Sequence, residues 1–478
     1  MKRRVVLYNP RAVFFTMPLG LLAVGSHVDR ARHEVVLVDG RLEADPVAAV
    51  LAALEGGGGS DRARAPVLGV SVLTGAPIRD AIEVSRAAKA RFPGLTVVWG
   101  GWHPSLFPEG CLEEPSVDAT VQAQGEETFV EILRRIDAGE SLAGCAGCTA
   151  RGEGGAAVRG LARPLAPLPG LTPHDYSLLP VERYFALKRK RQLDFVTSQG
   201  CRFRCAFCAD PFVFGRTWSG LPPGRVGEEL ARLHREHAFD DVNFQDETFF
   251  TSLDRVAGIA EELIRRRLPS TWAATMRADQ GERLPDDAWA ACRRSGLRRL
   301  LIGVEAGTQE MVDRIRKDIR LEQVLLCAER CRRHGIAAQF PFIVCFPGES
   351  DASVEATLDF ARRLSAMSPS FQTPVFFFKP YPGTPLTEEA ARHGFRLPAT
   401  LAEWALFDFY AGNGPFTTAA RTRLVERFRW YQKRAYAPSP PWKRPLAAIA
   451  RWRCERRAFR FPVEKAVGER LFPEPLLS

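Results

Sequence analysis

The feature that most constrains this chain is a double alternation of short β-branched runs with longer helical patterns. Arg4 to Tyr8, Glu34 to Asp39, Val67 to Val72 and Leu95 to Trp99 read as strands, with helical stretches between them. Such alternation implies parallel strands with crossover helices, a doubly wound α/β sheet whose ligands sit beyond the strand carboxyl ends. A second alternation follows: Leu193 to Ser198, Asp241 to Gln245, Thr271 to Met276, Arg299 to Val304, Ala337 to Cys345 and Phe371 to Lys379. Six βα units of this kind predict a full or partial (β/α) barrel with its reactive residues on the loops after the strands. The stretch between them, rich in Gly, Pro and Arg (Pro164, Pro167, Pro169, Pro173), favours turns and reads as a linker. The expected division is a doubly wound domain at 1–140, a linker at 141–190, a barrel at 191–394 and a basic, aromatic-rich helical region at 395–478.

With 46% hydrophobic and 26% charged residues, the 478-residue chain can bury sizeable cores. Its net charge of +10 is local: residues 421–460 carry thirteen Lys or Arg against Glu426 and Glu455. A near-neutral body argues against a protein built throughout for nucleic acid, while the basic segment is either a solvated helical face or a contact for an acidic partner, an anionic membrane surface or nucleic acid. Eleven thinly scattered cysteines do not form a secreted disulfide framework, so the compartment reads as reducing. Asn9-Pro10-Arg11 interrupts the early apolar stretch, and no apolar run reaches the 18 or so residues of a membrane span. The expectation is a cytoplasmic protein whose basic segment is a candidate peripheral membrane contact.

Cys201-Arg-Phe-Arg-Cys205-Ala-Phe-Cys208 sets three thiols within eight residues, just after the first expected barrel strand and Gly200. Closely spaced thiolates suit a soft metal or an iron–sulfur cluster. A structural zinc site closes with four ligands, and no further His or Cys lies within a dozen residues of the triplet. The Cys-x₃-Cys-x₂-Cys pattern, with Phe207 before the last cysteine, resembles the radical S-adenosylmethionine (SAM) superfamily over roughly residues 190–390. The resemblance implies a [4Fe-4S] cluster on Cys201, Cys205 and Cys208 with one iron open to SAM. It also implies that Phe207 packs near the adenine, and that Asp246 and Glu247 after the second strand and Glu305 after the fourth contribute to the SAM site. Arg277 is expected to hold the SAM carboxylate as a bidentate pair, and Glu349, in Phe346-Pro-Gly-Glu349, to approach the adenosyl group.

In the first domain, Ser71-Val-Leu73 and Gly100-Gly101 end the third and fourth expected strands, with 26 residues between Leu73 and Gly100. This spacing, with Gly101-Trp-His103-Pro104-Ser105 and Gly125-Glu126-Glu127, resembles the cobalamin-binding domains fused to radical SAM barrels. The resemblance implies a Rossmann or flavodoxin-like fold with cobalamin contacts at Ser71, Leu73, Gly100, Gly101 and His103. The loop Phe15-Thr-Met17-Pro-Leu-Gly20 keeps the glycine of the mutase-type cobalt loop and lacks its Asp and His, so no imidazole comes from it. His103 and His27 read as loop or surface residues rather than cobalt ligands. Cys145 and Cys148 form a Cys-x₂-Cys of the redox or metal-binding kind, but with no second pair they read as plain linker cysteines, and Cys292, Cys327, Cys331 and Cys345 as core.

The leading expectation is a cobalamin-dependent radical SAM enzyme. Reductive cleavage of SAM would give a 5′-deoxyadenosyl radical, and methylcobalamin would methylate an unactivated carbon of a secondary metabolite, tetrapyrrole or lipid. The electron would come from a flavodoxin- or ferredoxin-type donor. Two other readings stay open: a non-methylating cyclase or rearrangement enzyme with the same cofactors, and a cofactor-binding, nucleic-acid-associated sensor. Trp404, Phe407, Phe409, Phe416, Trp430, Tyr431 and Trp442 are read either as a pocket for an apolar substrate or as the core of a helical cap.

Overall fold

The computed structural model describes residues 2–13, 15–56, 65–407, 414–438 and 440–471. The chain divides into two compact bodies, one of Met1–Arg202, Ala209–Leu221 and Leu397–Phe409, the other of Phe203–Cys208, Pro222–Arg396 and Tyr410–Ser478.

The first body is built on a seven-stranded sheet: β1 (Arg3–Asn9), β2 (His33–Asp39), β3 (Val67–Ser71), β4 (Thr96–Gly100), β5 (Ala119–Val121), β6 (Cys148–Arg151) and β7 (Ala157–Arg159), in the order β2-β1-β3-β4-β5-β6-β7. The first five pair in parallel, with Val5 beside both Val35 and Val67, and Ser71 beside Gly100. Val5, Val6, Leu7 and Tyr8 are all buried, as a central strand covered on both faces requires. The order reverses between β1 and β3, and at such a switch point the chain leaves a crevice at the strand carboxyl ends. Where composition suggests a linker, β6 and β7 extend this sheet in antiparallel fashion. Gly152, Gly154 and Gly155 mark the turn of this hairpin, and the Pro-rich stretch that follows hid its short strands. Helices α1 (Leu19–His27), α2 (Pro46–Glu55), α3 (Pro77–Arg91), α4 (Trp102–Leu106) and α5 (Glu126–Ala138) fill the crossovers. Strand β8 (Gln192–Phe195), the first expected barrel strand, also forms.

In the second body β9 (Asp241–Phe244), β10 (Thr271–Arg277), β11 (Leu297–Gly303), β12 (Ala337–Gln339) and β14 (Phe371–Gln372) pair in parallel in that order. Helices α6 (Pro223–His237), α7 (Leu253–Arg265), α8 (Asp286–Arg294), α9 (Leu321–Arg333) and α10 (Asp351–Met367) alternate with them. The last two expected strands each break in two. Pro341 and Pro374 interrupt them, and β13 (Phe342–Val344) pairs instead with β15 (Val375–Phe377). Proline cannot donate to a ladder; here the Pro341 carbonyl accepts from Glu305 N–H at 3.1 Å and the Pro374 carbonyl from Phe342 N–H at 2.8 Å. The basic region folds as α11 (Ala419–Tyr436) and α12 (Arg444–Arg456), followed by a helix at Val463–Leu471. No described helix is long and apolar enough to cross a membrane.

Candidate functional site

The segment Phe203–Cys208 has no regular secondary structure and is pinned by its backbone. Ala206 N–H donates to Ile315 O at 2.9 Å, and the Ala206 carbonyl accepts from Leu386 N–H at 3.2 Å. Cys205 is buried, whereas Cys201 and Cys208 are half-buried. Gly200, just before the triplet, takes φ +86, a left-handed value that glycine adopts without strain.

Arg277 ends β10, and its guanidinium lies 3.7 Å from the Phe203 ring centroid. Its Nη1 donates to Cys205 Sγ at 3.8 Å, its Nε to Asp279 Oδ1 at 3.0 Å, and its Nη2 to the Lys317 and Asp318 carbonyls at 2.5 and 3.4 Å. The free fork expected for a bidentate carboxylate pair is therefore committed to the protein. Sequence reasoning missed Lys317, which is buried and donates to Glu305 Oε1 at 2.8 Å. Burial opposes its charge, but Glu305 and then Cys205 outweigh that and hold its pKa above the usual lysine value. Glu305 itself sits at φ +72, a strained conformation for a side chain with a Cβ.

Phe207 meets Phe346 edge-on at 6.4 Å, so the structure brings together the two segments expected near adenosine. Asp246 is buried and Glu247 half-buried just past β9, and Asp246 O accepts from Thr275 Oγ1 at 2.8 Å. Glu349 departs from expectation. Its two oxygens accept from Phe346 N–H at 3.0 Å and the Ser353 hydroxyl at 2.8 Å, closing its own turn. Burial keeps its pKa above the ordinary carboxylate value.

In the first body the five expected cobalamin residues come together at the carboxyl edge of β3 and β4. Val72 N–H donates to Gly100 O at 2.8 Å and His103 N–H to Val72 O at 3.0 Å, so the two strand ends are zipped together. Gly101 takes φ +93, and a Cβ there would stand 3.1 Å from both Ser71 Oγ and Val72 N. Leu73 is half-buried beside this edge. His103 is fully buried rather than a surface group. Its Nδ1 lies 3.1 Å from Thr74 Oγ1, and its ring packs against Phe107 and Trp404. Burial lowers its pKa to about 4, so the ring is neutral. Met17, in the loop without imidazole, is tied by its N–H to Asp194 at 2.7 Å. His27 is half-buried near Thr172.

Cys145 and Cys148 are buried in the core of the first body rather than in a linker. A hydrogen bond from the Cys148 thiol lowers the Cys145 pKa to about 7. Cys292, Cys327, Cys331 and Cys345 are buried as core. The aromatic set is divided: Trp404 and Phe407 belong to the first body, and Phe416, Trp430, Tyr431 and Trp442 to the second. Trp442 is exposed, the others named are buried, and Phe409 lies outside the described residues.

Among the described residues no group of three or more His, Cys, Asp or Glu is placed to hold a single metal ion unaided. The Cys205 sulfur with an arginine donor fits a cluster thiolate, since such donors stabilise sulfur-borne charge. At Gly101 a Cβ would crowd Ser71 Oγ and Val72 N at 3.1 Å, so glycine lets the end of β4 pack against the end of β3, where Ser71 and Leu73, two of the expected cobalamin contacts, lie.

Comparison with known proteins points to the same two cofactors. The radical SAM superfamily model matches residues 195–361, and the B12 binding domain model matches residues 10–133. "Uncharacterized methyltransferase PH0819" of Pyrococcus horikoshii is 29% identical over 423 residues, 86% of each chain. Cytidylyl-2-hydroxyethylphosphonate methyltransferase of Streptomyces wedmorensis is 25% identical over 452 residues, 82% of each chain. The solved structure of the radical SAM methyltransferase TsrM from Kitasatospora setae, with cobalamin and a [4Fe-4S] cluster bound, shares the fold. Its TM-score is 0.70 at 18% identity, covering 98% of this chain and 100% of that one. The chain thus belongs to the radical SAM enzymes that carry a B12-binding domain, with a [4Fe-4S] cluster, SAM and cobalamin as cofactors.

Proposed function

We propose that this enzyme transfers a methyl group to an unactivated carbon of a small biosynthetic substrate. The observation that carries the reading is one chain's possession of both a pinned thiol loop and a pair of strand ends, at Ser71 and Gly100-Gly101, zipped together at the carboxyl edge of its sheet. Methyltransferase relatives matched over most of their length support it. When bound, the cofactors supply an electron to cleave SAM, a 5′-deoxyadenosyl radical to take a hydrogen, and a methyl group to replace it.

Cys201, Cys205 and Cys208 ligate as thiolates. Phe207, backed by Phe346, offers an apolar edge to the adenine, and Asp246, Glu247 and Glu305 supply acceptors for the polar end of SAM. Ser71, Leu73, Gly100 and Gly101 form the cobalamin edge, and His103 packs behind it as a neutral ring. An external flavodoxin- or ferredoxin-type protein delivers the electron. The exposed Trp442 and Trp452, with Arg451 and Arg456, form a peripheral contact for an anionic membrane.

The test is anaerobic reconstitution with iron, sulfide and hydroxocobalamin, followed by incubation with methyl-labelled SAM and candidate substrates. Wild type should hold about four irons and one cobalt, and the Cys201, Cys205, Cys208 triple alanine variant should lose iron and keep cobalt. Label in the product supports methyl transfer. A deoxyadenosine-forming reaction whose product carries no label refutes it and leaves the cyclase-type reading.

A further inference from the structure

Two cations stand beside one thiol of the triplet. Cys205 is buried, and Arg277 Nη1 donates to its sulfur at 3.8 Å. Lys317, also buried, lies with its Nζ 5.8 Å from the Phe207 ring, two residues along the same loop. The charges differ in how they are compensated. Lys317 is matched by Glu305 at 2.8 Å. Arg277 shares its charge with Asp279 through Nε alone, and its Nη atoms are left to two carbonyls and the sulfur. The Phe203 ring at 3.7 Å closes one face of the guanidinium, so Arg277 is held in a single pose at the buried thiol. An arginine bound on that many sides is poorly suited to release its fork for a ligand carboxylate. It is well suited to act on the sulfur.

We infer that Arg277 is a positioning residue that sets the reduction potential of the cluster through Cys205. The inference rests on the assignment of Cys205 as a cluster ligand. In the reductive step one electron passes from the external flavodoxin- or ferredoxin-type donor, which is oxidised by one electron, to the cluster. No proton or bond moves. The added negative charge spreads onto the thiolate sulfurs, and an N–H···S bond from a cation stabilises the more negative state more than the oxidised one. Burial strengthens the effect, because little water screens the pair. Arg277 therefore makes the cluster easier to reduce. Arg204, on the same loop, is exposed and pairs in bidentate fashion with Asp318, so it serves as an internal control.

The experiment is a mediator-poised titration of the reconstituted full-length chain, following the reduced cluster by electron paramagnetic resonance, with iron counted for every variant. Arg277→Met should shift the midpoint to more negative potential with iron content kept. Arg277→Lys, which keeps the charge and loses the planar fork, should fall between it and wild type, and Arg204→Met should match wild type. A wild-type midpoint in Arg277→Met with the cluster intact overturns the inference. Loss of iron from both Arg277 variants also overturns it, because the arginine would then only hold the loop. Cys205→Ala with full iron content would instead sink the ligand assignment itself, whatever the Arg277 variants do.

Discussion

Gly101→Ala is the substitution whose effect can be worked most directly from the structure. The backbone there has φ +93 and ψ −163, a region that is essentially glycine-only, and holding alanine in it costs about 1–3 kcal/mol. The new Cβ would stand 3.1 Å from Ser71 Oγ and Val72 N and 3.2 Å from Val72 O. Ser71 can rotate away, but Val72 cannot move without stretching its bonds to Gly100 and His103. A weakened backbone hydrogen bond adds about 1 kcal/mol, for a total of about 2–4 kcal/mol. At about 2–4 °C per kcal/mol, the transition of the first body should fall by several degrees to more than ten. Ser71 and Val72, which the methyl group displaces, belong to the edge proposed to meet cobalamin, so its affinity should fall about tenfold or more, equivalent to at least 1.4 kcal/mol. Gly139→Ala separates strain from contact. Gly139 has φ +68 with nothing within 4 Å of its Cβ position, so alanine there should cost about 1 kcal/mol and leave cobalamin binding unchanged. Thermal melting of the apo chain and a hydroxocobalamin titration read both quantities. If Gly101→Ala melts with Gly139→Ala and binds cobalamin as wild type does, the assignment of this edge fails.

Three further outcomes are expected. His103 is a base whose pKa is lowered by burial from 6.5 to about 4, so its stabilising neutral form is complete above pH 6.5 and lost as the pH falls toward 4. The shift is worth about 3 kcal/mol, and His103→Gln should flatten the stability profile across that window; parallel wild-type and variant profiles would contradict this. Glu349→Gln should keep SAM affinity within about threefold, well under the 1.4 kcal/mol of a tenfold change, because both carboxylate oxygens already serve the turn. Its pKa is raised by burial, so the wild type gains stability as the pH falls into the carboxylate range and the variant should not; a tenfold loss of SAM affinity would return Glu349 to the ligand set. Arg456→Glu with Trp452→Ala should abolish sedimentation with anionic vesicles, since both side chains are exposed, and unchanged binding would dismiss the membrane contact. Arg453 is a poor choice for that test because it bonds Ala458 O, Phe461 O and Glu464 and holds the end of α12.

Sequence by itself determined the two βα series, the thiol spacing and the paired glycines. These are local properties: strand and helix periodicity, three cysteines within eight residues, and a turn that only glycine enters without strain. It also marked the ends of the strands, where Ser71, Gly100, Asp246, Arg277 and Glu305 are found. Tertiary structure decided what those residues touch. Nothing in the spacing of Arg277, Asp279, Lys317 and Cys205 says that the arginine's donors are taken by a carboxylate, two carbonyls and a sulfur, because those partners lie up to 72 positions away. Pairing across the sheet turned a Gly- and Pro-rich stretch into β6 and β7 and buried Cys145 and Cys148. Packing against Trp404, some 300 positions along the chain, made His103 a neutral core ring. Periodicity records which face of an element is apolar, but the partner and protonation of a polar side chain depend on what the fold brings to it.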